Sequence, residues 1–230
     1  MFRESENKKA VKNIIWDWNG TLLNDVDICI DCINGLLSKR DLSGLSLERY
    51  RDIFTFPVRE YYVSAGFDFD KEPFEQLAVE FIDEYRKNIK KAELHPGVFE
   101  ILGFFKSAGI NQFIVSAMEQ YFLIESVISH GLEGFFSEIC GIDDHHAENK
   151  TEIARQLVGS LDYGADRTIF IGDTLHDHEV AIENGLRCIL INHGHQSEKR
   201  LRSSDNPVLN SLTEIPYFIG MDTEAFIKKQ

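Results

Sequence analysis

Short apolar runs recur along the chain and alternate with stretches of helical period. The runs are mostly apolar on both faces, as is typical of parallel strands that helices cover on both sides. They fall at residues 14–18, 110–116, 138–142, 168–172 and 188–192. Helical patterns separate the last four runs, at 119–131, 149–159 and 176–184. This alternation predicts an α/β protein built on a doubly wound, Rossmann-like parallel sheet.

The segment between the first two runs does not follow this alternation. It has no strand pattern and several helical stretches, at 26–40, 46–54, 58–66 and 73–91. Aromatic residues recur within it at roughly helical spacing, which predicts an apolar core of its own. We therefore predict an all-helical cap at 25–91, inserted into a core formed by 1–24 and 92–230.

Composition and charge narrow the classes of partner. The chain has 230 residues, of which 43% are apolar, and this indicates a folded globular protein. Its 38 acidic and 24 basic residues give a formal net charge of −14, which argues against broad binding to nucleic acid or to anionic membranes. The first residues form no apolar signal region, and no apolar stretch reaches the length of a membrane span. We expect a cytoplasmic protein, either a monomer or a homodimer.

Two cysteines raise the possibility of redox or zinc chemistry. Cys29 and Cys32 form a C-x-x-C pattern, which occurs in redox pairs and in halves of zinc sites. Their spacing also places both thiols on one face of a predicted helix. No second pair follows, so we interpret them as half-buried helical cysteines. The acidic and histidine-containing run at 143–146 is interpreted as a solvated loop.

Polar side chains gather where the predicted strands end, and sheets of this type bind ligands at that edge. In chain order they are Asp17, Asn19, Ser116, Lys150, Asp173 and Asp177. Asp17 and Asp173 would repel each other unless a cation bridged them, and carboxylate oxygens suit Mg²⁺. Ser116 ends its strand just before a helix, where a hydroxyl and free N–H groups can bind an anion. Phosphoryl transfer is indicated by one carboxylate that lies among a metal, an anion-binding site and Lys150. In this interpretation Asp17 is the nucleophile.

These segments resemble the haloacid dehalogenase (HAD) superfamily of phosphohydrolases, in its helical-capped, phosphoglycolate-phosphatase-like branch. Four family motifs, D-x-D-G-T, a strand ending in Ser or Thr, a lysine and G-D-x-x-x-D, match "DWNGT", "FIVSA", "AENKTE" and "GDTLHD" in order. The resemblance implies a Mg²⁺-dependent phosphatase of small phosphorylated metabolites that forms an aspartyl-phosphate. The metal ligands it implies are Asp17, the Asn19 carbonyl, Asp173 and Asp177. The phosphate-binding residues it implies are Thr21, Ser116, Ala117 and Lys150.

The sequence departs from the family at Asn19, where these phosphatases carry an acid that protonates the departing alcohol. An amide has no proton to exchange near neutral pH, and losing general acid–base catalysis typically costs about 10²- to 10⁴-fold in rate. Three outcomes are open: a slow phosphatase of substrates with good leaving groups, an enzyme that uses another acid such as a nearby histidine, and a phosphate-binding relative that acts as a sensor or partner protein. Ser116, Lys150 and the intact G-D-x-x-x-D argue against carbon–halogen cleavage. We expect Asn19→Asp to raise turnover most on alkyl phosphates.

Further polar residues are candidates for contact with the substrate. His193 and His195 follow the last predicted strand, close to the predicted site. His176 and His178 are expected on the protein surface or behind the residues that form the site. In the cap, the candidates for binding the leaving group are Arg51, Arg59 and Tyr62. Of these, Arg59 is the residue that we assign to substrate binding.

Overall fold

The computed structural model describes residues 10–142 and 149–222. Its strands are β1 (Asn13–Trp16), β2 (Leu23–Asn24), β3 (Glu93–Leu94), β4 (Asn111–Glu119), β5 (Glu138–Ile142), β6 (Thr168–Gly172), β7 (Arg187–Ile191) and β8 (Val208–Leu209). Its α-helices are α1 (Val26–Ser38), α2 (Leu47–Ile53), α3 (Val58–Ala65), α4 (Phe74–Asn88), α5 (Val98–Ser107), α6 (Gln120–Ser129), α7 (Lys150–Ser160), α8 (Leu175–Glu183), α9 (Glu198–Leu201) and α10 (Ile215–Phe218). The predicted loop at 143–146 lies outside the described residues.

Six strands form one parallel sheet, in the order β5-β4-β1-β6-β7-β8. β1 lies inside the sheet, and Trp16 is paired with Ile114 of β4 and with Ile171 of β6. The arrangement confirms the predicted doubly wound parallel sheet. All five predicted strands are present, with ends that shift by up to three residues. The sequence pattern missed β8 because two residues are too few to show a period.

Alternate side chains of β1 enter two different cores, because successive residues of a strand point to opposite faces. Ile14 and Trp16 pack on one face together with Phe105 of α5. Ile15 packs on the other face together with Leu157 of α7. Helices therefore cover β1 on both sides, and the strand holds the residue that follows it at a fixed place on the sheet edge.

The segment 25–91 folds into helices α1 to α4, and all of its residues are described. Its core is rich in aromatic side chains, among them Tyr50, Tyr61 and Tyr62. The short strands β2 and β3, which the sequence did not predict, pair antiparallel at the two ends of this segment. This pairing brings together the points where the chain leaves the sheet domain and returns to it.

The two cysteines of the C-x-x-C pattern lie on α1. Cys29 and Cys32 are both free thiols on this helix, which confirms that they are helical residues, and both are buried where the sequence predicts half-buried positions. Across residues 10–142 and 149–222, no helix has the length and apolar character needed to cross a membrane.

Candidate active site

Asp17 follows β1 directly and opens a tight turn. Its backbone N–H donates to the Ile171 carbonyl, 2.8 Å away, so the sheet holds the backbone at the point where β1 ends. Gly20 in the turn has φ of +74°, and a Cβ there would lie 2.5 Å from Oδ2 of Asp173. Glycine at this position therefore allows the turn to press against a second carboxylate.

Asp17 belongs to a buried network of charges. Lys150, the first residue of α7, donates to Oδ1 of Asp17 and to Oδ1 of Asp177, the latter at 2.5 Å. The second oxygen of Asp177 accepts from the backbone N–H of Asp173 at 3.1 Å and from the Thr174 hydroxyl at 2.7 Å. Asp177 thus caps the start of α8 and holds both the Asp173 loop and Lys150 in place.

Asp173 approaches Asp17 through a shared hydroxyl. Thr21 Oγ1 lies 3.2 Å from Oδ2 of Asp17 and 3.0 Å from Oδ1 of Asp173. The other oxygen of Asp173 accepts from the His195 backbone N–H at 2.6 Å. The turn after β1 and the loop after β7 therefore hold the Asp173 carboxylate from two sides.

The charges of this cluster do not balance. Ligand oxygens of Asp17, Asp173 and Asp177 all lie within 4.8 Å of one another, and Lys150 is the one cation that contacts them among the described residues. Burial, with help from the neighbouring carboxylates, raises the pKa of Asp17 to about 8 and that of Asp173 to about 6. A hard divalent cation held by Asp17 and Asp173 would supply the missing positive charge, so the donor set fits one.

This imbalance predicts a pH-dependent stability. In the unfolded chain both carboxyl groups ionise near pH 3.8, whereas folded Asp17 and Asp173 keep their protons up to about 8 and 6. At these two groups the folded state therefore binds more protons across this range, and without divalent cations their contribution to stability falls as pH rises from about 4 to 8. Thermal unfolding in EDTA and in MgCl₂ should show a larger gain in Tm at pH 8 than at pH 5. Equal gains at both values would contradict the prediction, and Asp173→Asn should reduce the gain.

The Ser116 region differs from the prediction. The sequence pattern predicts a strand that ends at Ser116 directly before a helix, and this prediction is wrong, since β4 continues to Glu119 and α6 begins at Gln120. The pairing of β4 with β5 shifts register between Val115 and Glu119, so the strand is irregular there and not finished. Ser116 and Ala117 nevertheless line the cavity above Asp17.

The side-chain amide of Asn19 donates to Asp25 and to Tyr85, two contacts that the sequence pattern does not predict. Nδ2 of Asn19 lies 3.0 Å from Oδ2 of Asp25 and 2.7 Å from the Tyr85 hydroxyl. Tyr85 in turn donates to the same oxygen of Asp25 at 2.6 Å, and the Gly20 N–H donates to the other oxygen at 2.9 Å. A carboxylate at position 19 would face the Asp25 carboxylate, whereas the amide supplies a donor.

Asp25 also pairs with His195. Nε2 of His195 lies 3.3 Å from Oδ1 of Asp25, and Nδ1 lies 2.8 Å from the Tyr50 hydroxyl. Burial opposes both charges, yet the pair and its hydrogen bonds lower the pKa of Asp25 to about 2 and raise that of His195 to about 9. The two side chains therefore form a buried ion pair near neutral pH. Only the closeness of Asn19 and Asp25 in the sequence hinted at their contact.

Two cap residues that are candidates for binding the leaving group, Arg51 and Arg59, lie outside the space above Asp17. Arg51 donates from Nε to the Gly194 carbonyl at 2.9 Å and from Nη2 to the His193 carbonyl at 2.5 Å. It therefore joins the cap to the loop after β7. The exposed Arg59 stacks on Phe69, with 4.5 Å from Cζ to the ring centre, and is absent from the described residues that line the cavity. Neither arginine reaches the cavity in this structure.

The histidines have separate places. His193 stacks on His95 with 3.7 Å between ring centres and lies 3.2 Å from the Thr21 carbonyl. His176 stacks on Phe56 with 4.6 Å between ring centres, and His178 contacts Asn206. Of the four histidines considered, His195 is the one that lines the cavity.

A cavity of about 410 Å³ lies between the sheet edge and the cap. Its floor contains the predicted site residues Asp17, Asn19, Ser116, Ala117, Lys150, Asp173 and Asp177. Its sides come from α2, α3 and α4 and include Tyr62, as predicted. The volume falls within the range of about 300–1,000 Å³ that is usual for small-molecule sites. The geometry therefore places a buried carboxylate, a lysine and a cation-binding cluster at the bottom of a small-molecule cavity.

Comparison with known proteins agrees with this geometry. The model of the haloacid dehalogenase-like hydrolase family matches residues 14–191. The chain is 25% identical over 198 residues to a 5'-nucleotidase of Pseudomonas aeruginosa, which covers 83% of this chain and 87% of the relative. It is 23% identical over 209 residues to a phosphoglycolate phosphatase of Caulobacter vibrioides, with 88% of each covered.

Solved structures share the fold. A haloacid dehalogenase-like family protein of Streptococcus pneumoniae superposes with a TM-score of 0.76 at 19% identity, over 90% of this chain and 98% of that one. The predicted superfamily and the prediction of a hydrolase are confirmed, and the relatives agree with the predicted branch. The chain belongs to the haloacid dehalogenase-like hydrolase family.

Proposed function

We propose that the protein is a Mg²⁺-dependent phosphatase of small phosphorylated metabolites, and that Asp17 carries the phosphoryl group during turnover. The observation that carries this proposal is the place of Asp17, buried at the floor of the cavity and held by Lys150. The activities of the relatives, a 5'-nucleotidase and a phosphoglycolate phosphatase, support a phosphoric monoester hydrolase. They differ in substrate, so they do not select one for this chain.

The residues at the floor have distinct parts in this reaction. Asp17 attacks phosphorus and forms an aspartyl-phosphate, which water then hydrolyses. Lys150 holds the Asp17 carboxylate for attack and places a positive charge beside the phosphate, while Ser116 lines the same space. Mg²⁺ held by Asp17, Asp173 and the Asn19 carbonyl would neutralise charge on the phosphate oxygens. Asp177 acts by positioning Lys150.

The side chains around Asn19 do not replace the missing acid. Both ring nitrogens of His195 are engaged, one by Asp25 and one by the Tyr50 hydroxyl. Asp25 is held ionised by its donors, so it has no proton to give. The leaving group therefore departs without protonation from these side chains, and substrates whose leaving groups are stable anions are favoured.

The test is release of phosphate from acetyl phosphate and phenyl phosphate, measured in MgCl₂ and in EDTA. We expect turnover that requires the metal, and an acid quench during turnover of ³²P-labelled acetyl phosphate should trap label on the peptide that contains Asp17. Turnover without any trapped label on this peptide, under conditions that preserve acyl phosphates, would contradict the covalent route.

A second candidate function is phosphate binding with little turnover, in a sensor or partner protein. The contact of Asn19 with Asp25 favours it, because both side chains are committed to each other and neither transfers a proton. Wild type and Asp17→Asn that are equally inert on the phosphate esters, yet bind inorganic phosphate in the presence of Mg²⁺, would select this candidate over the enzyme.

A further inference from the structure

Aromatic side chains are the largest group among the residues that form the walls of the cavity. We name as the aromatic wall the nine ring side chains that line it: Tyr50, Phe54, Phe56, Tyr61, Tyr62, Phe74, Phe81, Tyr85 and Phe122. Eight of them come from the cap, and Phe122 comes from α6. Rings within the wall already pack against one another, with Phe81 stacked on Tyr85 at 6.0 Å between centres. A ligand above the floor therefore meets ring faces and edges.

Two of the hydroxyl groups in the wall are committed to the protein. The Tyr50 hydroxyl pairs with Nδ1 of His195 at 2.8 Å, and the Tyr85 hydroxyl donates to Asp25 at 2.6 Å. Among its ring side chains, the wall offers a sugar phosphate with several hydroxyls only the hydroxyls of Tyr61 and Tyr62, so most of the bonds to water that the sugar loses would not be replaced. Burial of unpaired polar groups is costly, so the wall disfavours such a leaving group.

A second negative charge on the leaving group is disfavoured as well. Apart from Lys150 and His195 at the floor, Arg86 is the one cation among the described residues that line the cavity. Arg86 lies flat over Phe122, with 4.0 Å from Cζ to the ring centre, and His195 is paired with Asp25. Asp25 and Glu119 add negative charge to the lining. A carboxylate such as that of phosphoglycolate would have Arg86 as its one cationic partner above the floor among the described residues, beside the negative charge of Asp25 and Glu119.

Position 19 restricts the leaving group in a different way. Asn19 lines the cavity and offers an amide where proton transfer to the departing oxygen would be needed. A phenolic oxygen, with a pKa of about 10 as in tyrosine, departs as an anion far more readily than an alkyl alkoxide. The aromatic wall and the amide at position 19 both favour an ester of a phenol.

We propose that the substrates are aryl phosphates, monoesters of phenols that carry an apolar ring system, with the ring seated against the aromatic wall and the phosphate at the floor. This inference rests on the proposed phosphatase function. Asp17 forms a bond to phosphorus as the bond from phosphorus to the aryl oxygen breaks, and the electron pair leaves with the phenolate. Solvent protonates the phenolate, and water cleaves the aspartyl-phosphate to give inorganic phosphate and free Asp17.

The first test compares kcat/KM for four esters with MgCl₂ present. 1-Naphthyl and phenyl phosphate have leaving groups of similar acidity and different ring size, and we expect naphthyl to exceed phenyl by at least about tenfold. Benzyl phosphate keeps a ring but releases an alkyl alcohol, so it should fall about 10²-fold or more below phenyl phosphate. Phosphoglycolate, which is alkyl and anionic, should be lower still.

The second test alters the wall. Phe81→Ala should lower the ratio of kcat/KM for 1-naphthyl phosphate to that for acetyl phosphate by about tenfold, because a ring contact is lost while the floor is kept. Phe81→Leu, which keeps an apolar side chain, guards against misfolding and should lower the ratio less. The matched control is Val79→Ala on the same helix, where the side chain is 61% exposed. An unchanged ratio in a folded Phe81→Ala protein would overturn the proposal.

The outcomes separate this inference from the function on which it rests. Mg²⁺-dependent hydrolysis of acetyl phosphate without preference for naphthyl over phenyl would overturn the substrate class and keep the phosphatase. Faster hydrolysis of adenosine 5'-monophosphate than of 1-naphthyl phosphate would also overturn it, in favour of a nucleoside leaving group. No hydrolysis of any ester would remove both proposals.

Discussion

Asp17→Asn is expected to lower kcat on aryl and acyl phosphates by on the order of 10⁴- to 10⁶-fold, because an amide cannot attack phosphorus. The shape of the side chain is kept, and Lys150 keeps its contact with Asp177 at 2.5 Å. Loss of activity in this variant would therefore report loss of the nucleophile and not collapse of the site. Initial rates with phenyl phosphate and acetyl phosphate in MgCl₂ measure the effect.

The same variant has a predicted effect on stability with the opposite sign. Burial raises the pKa of Asp17 to about 8, so its ionised form is disfavoured in the metal-free protein. Asp17→Asn removes that charge, and at pH 8 in EDTA the Tm should rise above that of wild type. Asp31→Asn makes the same chemical change at an exposed carboxylate on α1 and should alter neither rate nor Tm. An Asp17→Asn protein that keeps more than a tenth of the wild-type kcat would exclude Asp17 as the nucleophile.

The residues at the sheet edge were predictable because strand order and strand ends follow from local patterns. Asp17, Lys150 and Asp173 were placed correctly near one another, since β1 is flanked by β4 and β6 and the carboxyl ends of parallel strands meet. The catalytic and binding roles of these residues stay predictions. Ser116 was placed in the cavity for a reason that proved wrong, because a register shift extends its strand.

The cap was predictable as helices but not in the direction of its side chains. Helical spacing identified α1 to α4, yet nothing in it showed that Arg51 would face the loop after β7 or that Arg59 would stack on Phe69. Those directions depend on how the cap rests on the sheet domain, which is set by long-range contacts. Asp25 was missed for a related reason, since its partner His195 lies 170 residues further along the chain.

Asp25 changes what is expected of Asn19→Asp. The sequence alone predicts a gain in turnover on alkyl phosphates, because an acid would return to the position that protonates the leaving group. In the structure that acid would replace a donor 3.0 Å from Oδ2 of Asp25 and place a half-buried carboxylate against the buried carboxylate of Asp25. Loss of a hydrogen bond to a charged group and the repulsion together cost at least about 2 kcal/mol. We therefore expect the single variant to lose about 4–8 °C in Tm and to gain little activity.

The gain is expected in the double variant Asn19→Asp/Asp25→Asn. Exchanging the two side chains restores a donor and an acceptor between positions 19 and 25, so the double variant should be more stable than the sum of the single changes by about 2 kcal/mol. A carboxyl group then stands beside the leaving oxygen, and kcat on benzyl phosphate should rise by about 10²-fold. Denaturant unfolding of the four proteins gives the coupling, and steady-state rates on benzyl and phenyl phosphate give the activity. Phenyl phosphate should gain much less, because phenolate needs no proton.

Asn24→Asp is the matched control for this cycle, because it adds a carboxyl group to an exposed position of β2, directly after the turn. It should change neither Tm nor the ratio of benzyl to phenyl turnover. If Asn19→Asp alone were as stable as wild type and accelerated benzyl phosphate as much as the double variant, Asp25 would not be what requires an amide at position 19. If instead only the double variant gained activity on benzyl phosphate, the contact between positions 19 and 25 would explain why the turn after β1 carries an amide in place of a proton donor.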